Sequence, residues 1–441
     1  MAGSFQNRKF FIAYPDQFEI QSAWDVAVAN ADIDARHPQV TPTYPTSQVT
    51  REKTPDCSGE YFIAEDLTSR LKRLRFGFNP NAQMLAGWLA MAYGTAASPT
   101  GTPADETQTI TISATGGTFT ISFSFEGLSG TTEAIAFDAT AAVVQSALNA
   151  IRSVKQGTQN AANIAVSGSA GGPYTLTFQN KLAKANVPLV TTNAASLTGG
   201  AGTAVVAAGT AGANKLHAIS RSTSDQPPQT SLIYGFEGDS DNPQKIKNVV
   251  VNEIAVSGTA RGRVLVELDL IATWPFSAGV YSIPDCINFS PITTKDVRLL
   301  INSSYYVDAL REFRFVYSNN IITGDDAFPF DDIDAIRLEK GDRTSMFNFT
   351  IFGSKGDTLY TLAETEPEED ISLHIGRPGD RVSIYAPSAK LKLEDTDTTF
   401  IGDANRSAIS YMAEPFLDEG LSGTPDYIEA NLDQTVQYLL T

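Results

Sequence analysis

Apolar and polar residues alternate one by one in many stretches of this chain, the period of strands with one face buried. Before Ser290 the pattern predicts strands at Lys9–Tyr14, Glu60–Ala64, Ser231–Phe236, Lys247–Val256 and Arg263–Thr273. After Ser290 it predicts Val297–Ile301, Glu312–Tyr317, Ile333–Leu338, Met346–Phe352, Ile371–Ile375, Arg381–Tyr385, Lys390–Leu393 and Ile409–Phe416. One helix stands out, opened by Asn79-Pro80 and closed by Gly94. Met84, Leu85, Trp88, Leu89 and Ala92 share a face with little polar contrast opposite, so it is expected to lie covered across a sheet.

Residues 105–214 have a different texture. Thr109–Ser113 and Phe119–Phe125 alternate on either side of Gly116-Gly117 and read as a hairpin. Asp138 is placed to cap a helix carrying Ala142, Val143, Leu148 and Ile151, with Gly157 beyond its end. Ile164–Val166 and Tyr174–Phe178 are two further strands joined by a Gly-rich turn, and Ala194–Ala213 reads as a strand with a flexible exit. The flanks SPTGTPADE and GTAGANK are linker-like, as for a small β-rich module with one helix inserted into a loop of a host domain.

Charge sharpens these boundaries. The net charge is −18 over 441 residues, of which residues 105–214 supply −1 (five acids, four bases), residues 291–441 supply −14 (27 acids, 13 bases), and the remainder −3. We therefore expect a mainly β protein in three units: 1–104 with 215–290, the inserted module 105–214, and 291–441. Two places echo each other. Asn252–Val256, a turn with Arg261 and the strand Val264–Leu270 have the form of Asp334–Leu338, a turn with Arg343 and the strand Phe347–Ile351. Without the module, 331 residues remain (441 less 110), enough for two related β domains.

Composition excludes more than it suggests. So acidic a chain is a poor general ligand for nucleic acid. Cys57 and Cys286 make no disulfide framework, and reduced thiols are expected. No run is apolar enough for a membrane helix, and the N-terminus meets Asp16 before any secretory signal could form. GxSxG, HExxH, CxxC and GxxxxGK[ST] are absent. Gly199–Gly202 lacks the strand–helix frame of a phosphate cradle, and His37, His217 and His374 are scattered, in keeping with surface or ordinary structural roles rather than ligation. Asp239–Asn242 opens like a calcium loop, but Gln244 and Val250 stand where glycine and glutamate belong. Glu394–Asp397 and Asp331–Asp334 also lack a completing ligand set. Carboxylate pairs for glycoside hydrolysis are invisible in sequence, though three Trp are sparse for a sugar cleft. No catalytic, cofactor or metal residue is nominated.

Arg51–Thr54, Ser58–Phe62 and the Trp-containing helix ending Leu89–Gly94 resemble the front half of a long-tailed bacteriophage tail tube protein. Val251–Leu270 resembles that family's paired strands, and Val297–Phe352 with Thr358-Leu359-Tyr360 reads like a second copy. Phe137–Leu148, Gly171–Phe178 and Leu197–Gly200 are similar to a small module recurring in phage virion proteins. The resemblance implies two tandem tube-like β-sandwich or barrel domains, each with a helix, with the 105–214 module projecting outward as decoration. It implies a non-enzymatic virion protein, assembled in the host cytoplasm, whose sheet edges join neighbours around a lumen. A duplicated chain would need three copies for a pseudo-sixfold ring, with rings stacking into a tube. Tail terminator, tape measure and distal tail proteins are the implied partners, and DNA passes without specific binding. Gln39–Cys57 and Asn319–Asp332 are candidate loops between rings, and many of the 27 acids after Pro291 are expected to face the pore. The competing reading is a capsid decoration or receptor-binding component built from similar modules.

Overall fold

In the computed structural model, residues 10–14, 35–38, 41–42, 46–55, 62–157, 162–236, 244–273, 277–278, 290–306, 309–323, 338–353, 357–393, 399–400, 407–416 and 426–432 are described. The protein is mainly β, its strands antiparallel throughout the described pairings. A 20-stranded sheet system forms the body, and sheets of five and four strands form a module at 105–214. Each has its own apolar core.

Eight strands of the body follow one another as neighbours. Thr46–Pro55 pairs with Phe62–Phe78, which pairs with Leu265–Thr273, and that strand with Gln244–Thr259. Gln244–Thr259 then pairs with Leu310–Ser318, followed by Thr344–Gly353, Ser407–Pro415 and Asp380–Leu393. Alternation puts Leu74, Phe76, Val266, Leu268, Ile254, Val256, Phe313, Phe315, Phe347, Phe349, Ile409 and Tyr411 on one face, all buried in a single core. The helix Ala82–Tyr93 crosses that face. Asn81 caps it by accepting from the Met84 amide at 2.8 Å, and Gly94 ends it at φ 95°, the left-handed turn that favours glycine. It is buried nearly all round, Trp88 completely, which accounts for the weak polar contrast in its sequence.

Among the described residues strand pairing crosses the expected boundary at 290/291 in two places, and the isolated bridge between Arg263 and Thr293 crosses it again. Glu253–Thr259 runs against Glu312–Ser318, and Lys215–Ile219 against Ile428–Leu432. The core is continuous across both.

Several expectations need correction. Arg381–Tyr385 and Lys390–Leu393 belong to one strand, Asp380–Leu393, which bends at a bulge and so passes from one partner set to another. Most of Gln39–Cys57 is strand rather than loop, because Thr46–Pro55 pairs along the 17-residue strand Phe62–Phe78. Thr107–Ser113 and Gly116–Phe125 are not a hairpin. The first pairs with Tyr174–Phe178 and Thr203–Ala208, the second with Leu128–Thr131, Ile135–Ala136 and Thr191–Asn193. The turn between them changes sheets, so their two apolar faces bury each other instead of needing a third layer. The module's helix is capped at Thr140, not Asp138, and makes no side-chain cap bond. Its exit is ordered: the amides of Gly209, Gly212 and Ala213 bond Thr107 O, Glu106 Oε2 and Ala104 O at 2.9, 2.6 and 2.9 Å. The two flanks pair with each other, Thr100 with Leu216 and Ala104 with Ala213, which removes their freedom as linkers. Lys9, Glu60, Tyr61, Cys57, Cys286, Asp239–Asn242 and Glu394–Asp397 lie outside the described residues. So do residues 324–337, which hold Asp331–Asp334, most of the predicted strand Ile333–Leu338 and the greater part of the candidate loop Asn319–Asp332.

Candidate functional site, a repeated sheet with two open edges

The pairing pattern of the body occurs twice. In the N-terminal segment Phe10–Tyr14 pairs with Ala35–Pro38 and with Thr230–Phe236, which pairs with Gln244–Thr259, which in turn pairs with Ser277–Ala278. In the C-terminal segment Val297–Ile301 pairs with Ser304–Tyr305 and with Glu368–Arg377, which pairs with Asp380–Leu393, which pairs with Tyr427–Leu432. The helices Ala82–Tyr93 and Thr358–Ala363 occupy the same place in the order. Even a bulge recurs: the register steps from Thr230↔Val249 to Leu232↔Ile246, and from Glu369↔Ala389 to Ile371↔Ala386. The echo read from sequence is not this repeat: by pairing order Leu265–Thr273 corresponds to Ser407–Pro415, and Thr344–Gly353 to Phe62–Phe78. The echo's Asp334–Arg337 part lies outside the described residues, and the strand pairing with Thr344–Gly353 is Leu310–Ser318.

The repeat makes the internal junction informative. Where the segments meet, Glu253 stands opposite Ser318 and Ile254 opposite Tyr317. Matching the core positions places Lys392 where Glu253 stands, Leu393 with Ile254, Gln48 with Ser318 and Ser47 with Tyr317. Those two stretches are the outer edges of the eight-stranded run: among the described residues no further strand pairs beyond Thr46–Pro55 or beside Lys392–Leu393, while the amide of Leu391 is taken by the Pro367 carbonyl at 3.1 Å. Unpaired amides and carbonyls on such edges are templates for another strand.

The face of this run turned away from the core is polar except at one end, where Leu71, Val250 and Ile271 pack with Ile321 and Leu338, and several of its charges are paired. Arg75 lies 3.4 Å from Asp269 and Arg73 binds the same carboxylate by two nitrogens; Arg314 meets Glu267 at 3.3 Å and Lys392 meets Glu414 at 3.4 Å. Burial pushes the Asp269 carboxyl up, but bonds from Arg73 and Asn252 outweigh it and hold the group below its ordinary value. The acids after Pro291 do not gather here: among the described residues of these strands only Glu312 and Glu414 do so. Cross-strand neighbours sit about 5 Å apart, so like charges would repel and bases interleave instead. Glu364, Glu366, Glu368 and Asp370 are exposed at the end of the short second helix and the strand after it.

A second polar centre holds the junction from the core side. Arg221 Nε lies 2.6 Å from Asp426 Oδ1, Tyr93 donates to Asp426 Oδ2 at 2.5 Å, and Arg221 reaches Ser345 at 2.8 Å. Tyr93 stacks on Tyr317 at 4.1 Å, and burial together with Asp426 pushes its phenol well above the ordinary value. Asn319 donates to the carbonyls of Ala92 and Val251 at 2.8 and 2.9 Å. Tyr93 and Asn319 entered the sequence reading only as part of a helix and as the start of a candidate loop, and the centre they form was not foreseen, since pairings over 200 positions apart leave no local pattern.

The module is docked rather than tethered. Glu126, 3% exposed, binds Arg381 and lies 3.8 Å from Arg298, which also donates to Gln156 at 2.9 Å. Lys181 pairs with Asp296, Asn214 bonds Gly379 O, and Arg377 donates to Asn180 O at 3.3 Å. The one sequence signal was that Glu126 is among only nine charges in the block.

Of the histidines, His217 is fully buried and His374 accepts or donates at 2.6 Å to Ser383; His37 lies in the strand Ala35–Pro38. They are not brought together. Among the described residues no three His, Cys, Asp or Glu could jointly hold a metal ion, and no helix is long and apolar enough to cross a membrane. No protein-family model matches the chain, and no curated protein sequence does.

Proposed function

We propose that this protein is a structural subunit that closes with two further copies into a ring, and that stacked rings make the tube of a bacteriophage tail. The repeated sheet carries the reading. A chain that already contains one junction between its two segments, and ends in an unpaired edge of each matching kind, can repeat that junction with its neighbours. Three copies of the eight-stranded run then form one barrel, with six pseudo-equivalent units from three chains. Closure removes both exposed edges.

The polar face would line the lumen, since the opposite face is occupied by core and helix. Its paired charges suit DNA passage in a different way from the acidic wall expected at first. Bases already neutralised by neighbouring carboxylates have little counterion release to gain from phosphate.

Disulfide trapping tests the register. In a chain with Cys57 and Cys286 changed to Ser, Gln48→Cys and Lys392→Cys stand opposite each other across the new junction, at a spacing a disulfide spans. Oxidation is expected to give covalent dimers and trimers that stop at three, together with rings in negative-stain images. Monomers or compact trimers without a channel, at every concentration, favour the decoration or receptor-binding reading. A ladder continuing past three rejects the closed ring.

A further inference from the structure

The module's four-stranded sheet has two outer strands, and the chain treats them differently. At Ile164–Gly168 the outward backbone groups are taken by side chains of the helix Ala141–Ala150. Asn149 donates to Ile164 O at 2.7 Å and accepts from its amide at 3.1 Å, and Gln145 accepts from the Val166 amide at 2.9 Å. These amides stand in for a fifth strand and close that edge. The opposite outer strand is Thr203–Ala208. The Gly209 amide bonds Thr107 O, so by the alternation of antiparallel pairing residues 203, 205 and 207 turn their backbone groups inward, and 204, 206 and 208 turn theirs out. Thr192 Oγ1 donates to Ala204 O at 2.7 Å. Among the described residues nothing bonds the outward amides and carbonyls of Val206 and Ala208. Open edges are ordinarily blunted by charge or proline, and this strand has neither. No charged residue lies between Lys184 and Lys215. Val205 on this strand is 58% exposed. Leu189, 47% exposed, lies by the strand's end, where Gln108, opposite Ala208, holds Pro188 O and the Val190 amide. These are two of the four large apolar side chains exposed among the described residues.

We propose that this edge pairs, antiparallel and about a twofold axis, with the same edge of a second copy of the chain. The free groups fix the register. Val206 and Ala208 each have a donor and an acceptor to satisfy, so Val206 stands opposite the second copy's Ala208, with about four new backbone hydrogen bonds across the axis. Ala207 then faces its own counterpart, and Val205 comes to lie beside the second copy's Gly209. Two four-stranded sheets become one continuous sheet with no open edge at its centre. Charge selects the partner. Of the net charge of −18 the module carries −1, so two bodies repel each other while two modules meet without opposition. The contact is smaller than a standard stable interface, so it is transient in dilute solution and is read by trapping. It uses no residue of the edges at Thr46–Pro55 and Lys392–Leu393 and does not depend on ring formation.

Disulfide trapping in the full chain, with Cys57 and Cys286 changed to Ser, tests this. Ala207→Cys, at an exposed position, sets two thiols across the axis with Cα atoms about 4.5 Å apart, within disulfide reach. In Val205→Cys the two thiols stand roughly 13 Å apart along the strands. Oxidation of Ala207→Cys is therefore expected to give covalent dimers in about tenfold greater yield than Val205→Cys. Adding Ala208→Pro removes an outward amide and no bond within the module, and should cut the Ala207→Cys yield about tenfold. In the unaltered protein, exchange of the Val206 and Ala208 amides should slow as concentration rises. Equal yields from Ala207→Cys and Val205→Cys, or no effect of Ala208→Pro, overturn the proposal. Protection at Val206 and Ala208 that is independent of concentration also overturns it, because a segment of the same chain would then fill the edge. The ring reading is tested at Gln48 and Lys392, so either can fail alone.

Discussion

Asp426, with no exposed surface, is bound through both carboxylate oxygens from the N-terminal side of the molecule: Arg221 holds Oδ1 at 2.6 Å and Tyr93 holds Oδ2 at 2.5 Å. Arg221 lies 205 residues away and Tyr93 lies 333 away, so this carboxylate ties the last described strand to the first helix. Asp426→Ala leaves a buried guanidinium without its carboxylate and should lower stability by about 3–5 kcal/mol. Denaturant unfolding checks it. A loss under about 1 kcal/mol would mean that the pair contributes like a surface bridge.

His217 gives the fold an acid-sensitive point. Both ring nitrogens are buried without a hydrogen-bond partner, and burial, helped by Lys215, pushes its pKa down to about 4. The folded value lies below the ordinary one near 6.5, so the neutral ring favours the fold above pH 6.5, and that contribution is lost as pH falls toward 4. The full loss is about 3 kcal/mol at most. In His217→Leu the pH dependence of stability between 6.5 and 4 should flatten relative to the unaltered protein. Parallel curves for the two proteins would remove His217 as the cause.

At Gly379 the body's backbone comes close against the module. A Cβ there would overlap the carbonyl oxygen of Ala183, and both partners are backbone, so neither yields cheaply. Gly379→Ala should cost about 1–3 kcal/mol and raise hydrogen exchange at Lys181–Ala185 and Arg377–Arg381 together. Unchanged protection on either side would show that the contact is not tight in solution.

Gly94 closes the buried helix at φ 95°, and a side chain there would crowd Ser222 Cβ and Lys340 Nζ at 2.8 Å. Gly94→Ala is expected to destabilise by about 1–2 kcal/mol in thermal unfolding, more than an exposed helix end would. An increase in melting temperature would argue against the left-handed cap.

Much was legible in the chain because it is local. Alternation located the strands Val297–Ile301, Tyr174–Phe178 and Thr230–Phe236 within a residue or so, and the Asn79-Pro80 and Gly94 signals bounded the covered helix within a residue or two. The run of few charges at 105–214 coincides with a separate core. What a period of two cannot say is which strand lies beside which. The alternation around Ile254 is equally satisfied in any sheet with one buried face. The crossing of Glu253–Thr259 onto Glu312–Ser318, and the separation of Thr107–Ser113 from Gly116–Phe125, were therefore decided only in three dimensions. The charges behaved likewise. Composition counted 27 acids after Pro291, but cross-strand spacing determined that those on the polar sheet face sit among bases. Glu126 became a docking residue only when folding buried it between two arginines, since the pairing energy of a carboxylate depends on its neighbours and on the loss of water around it.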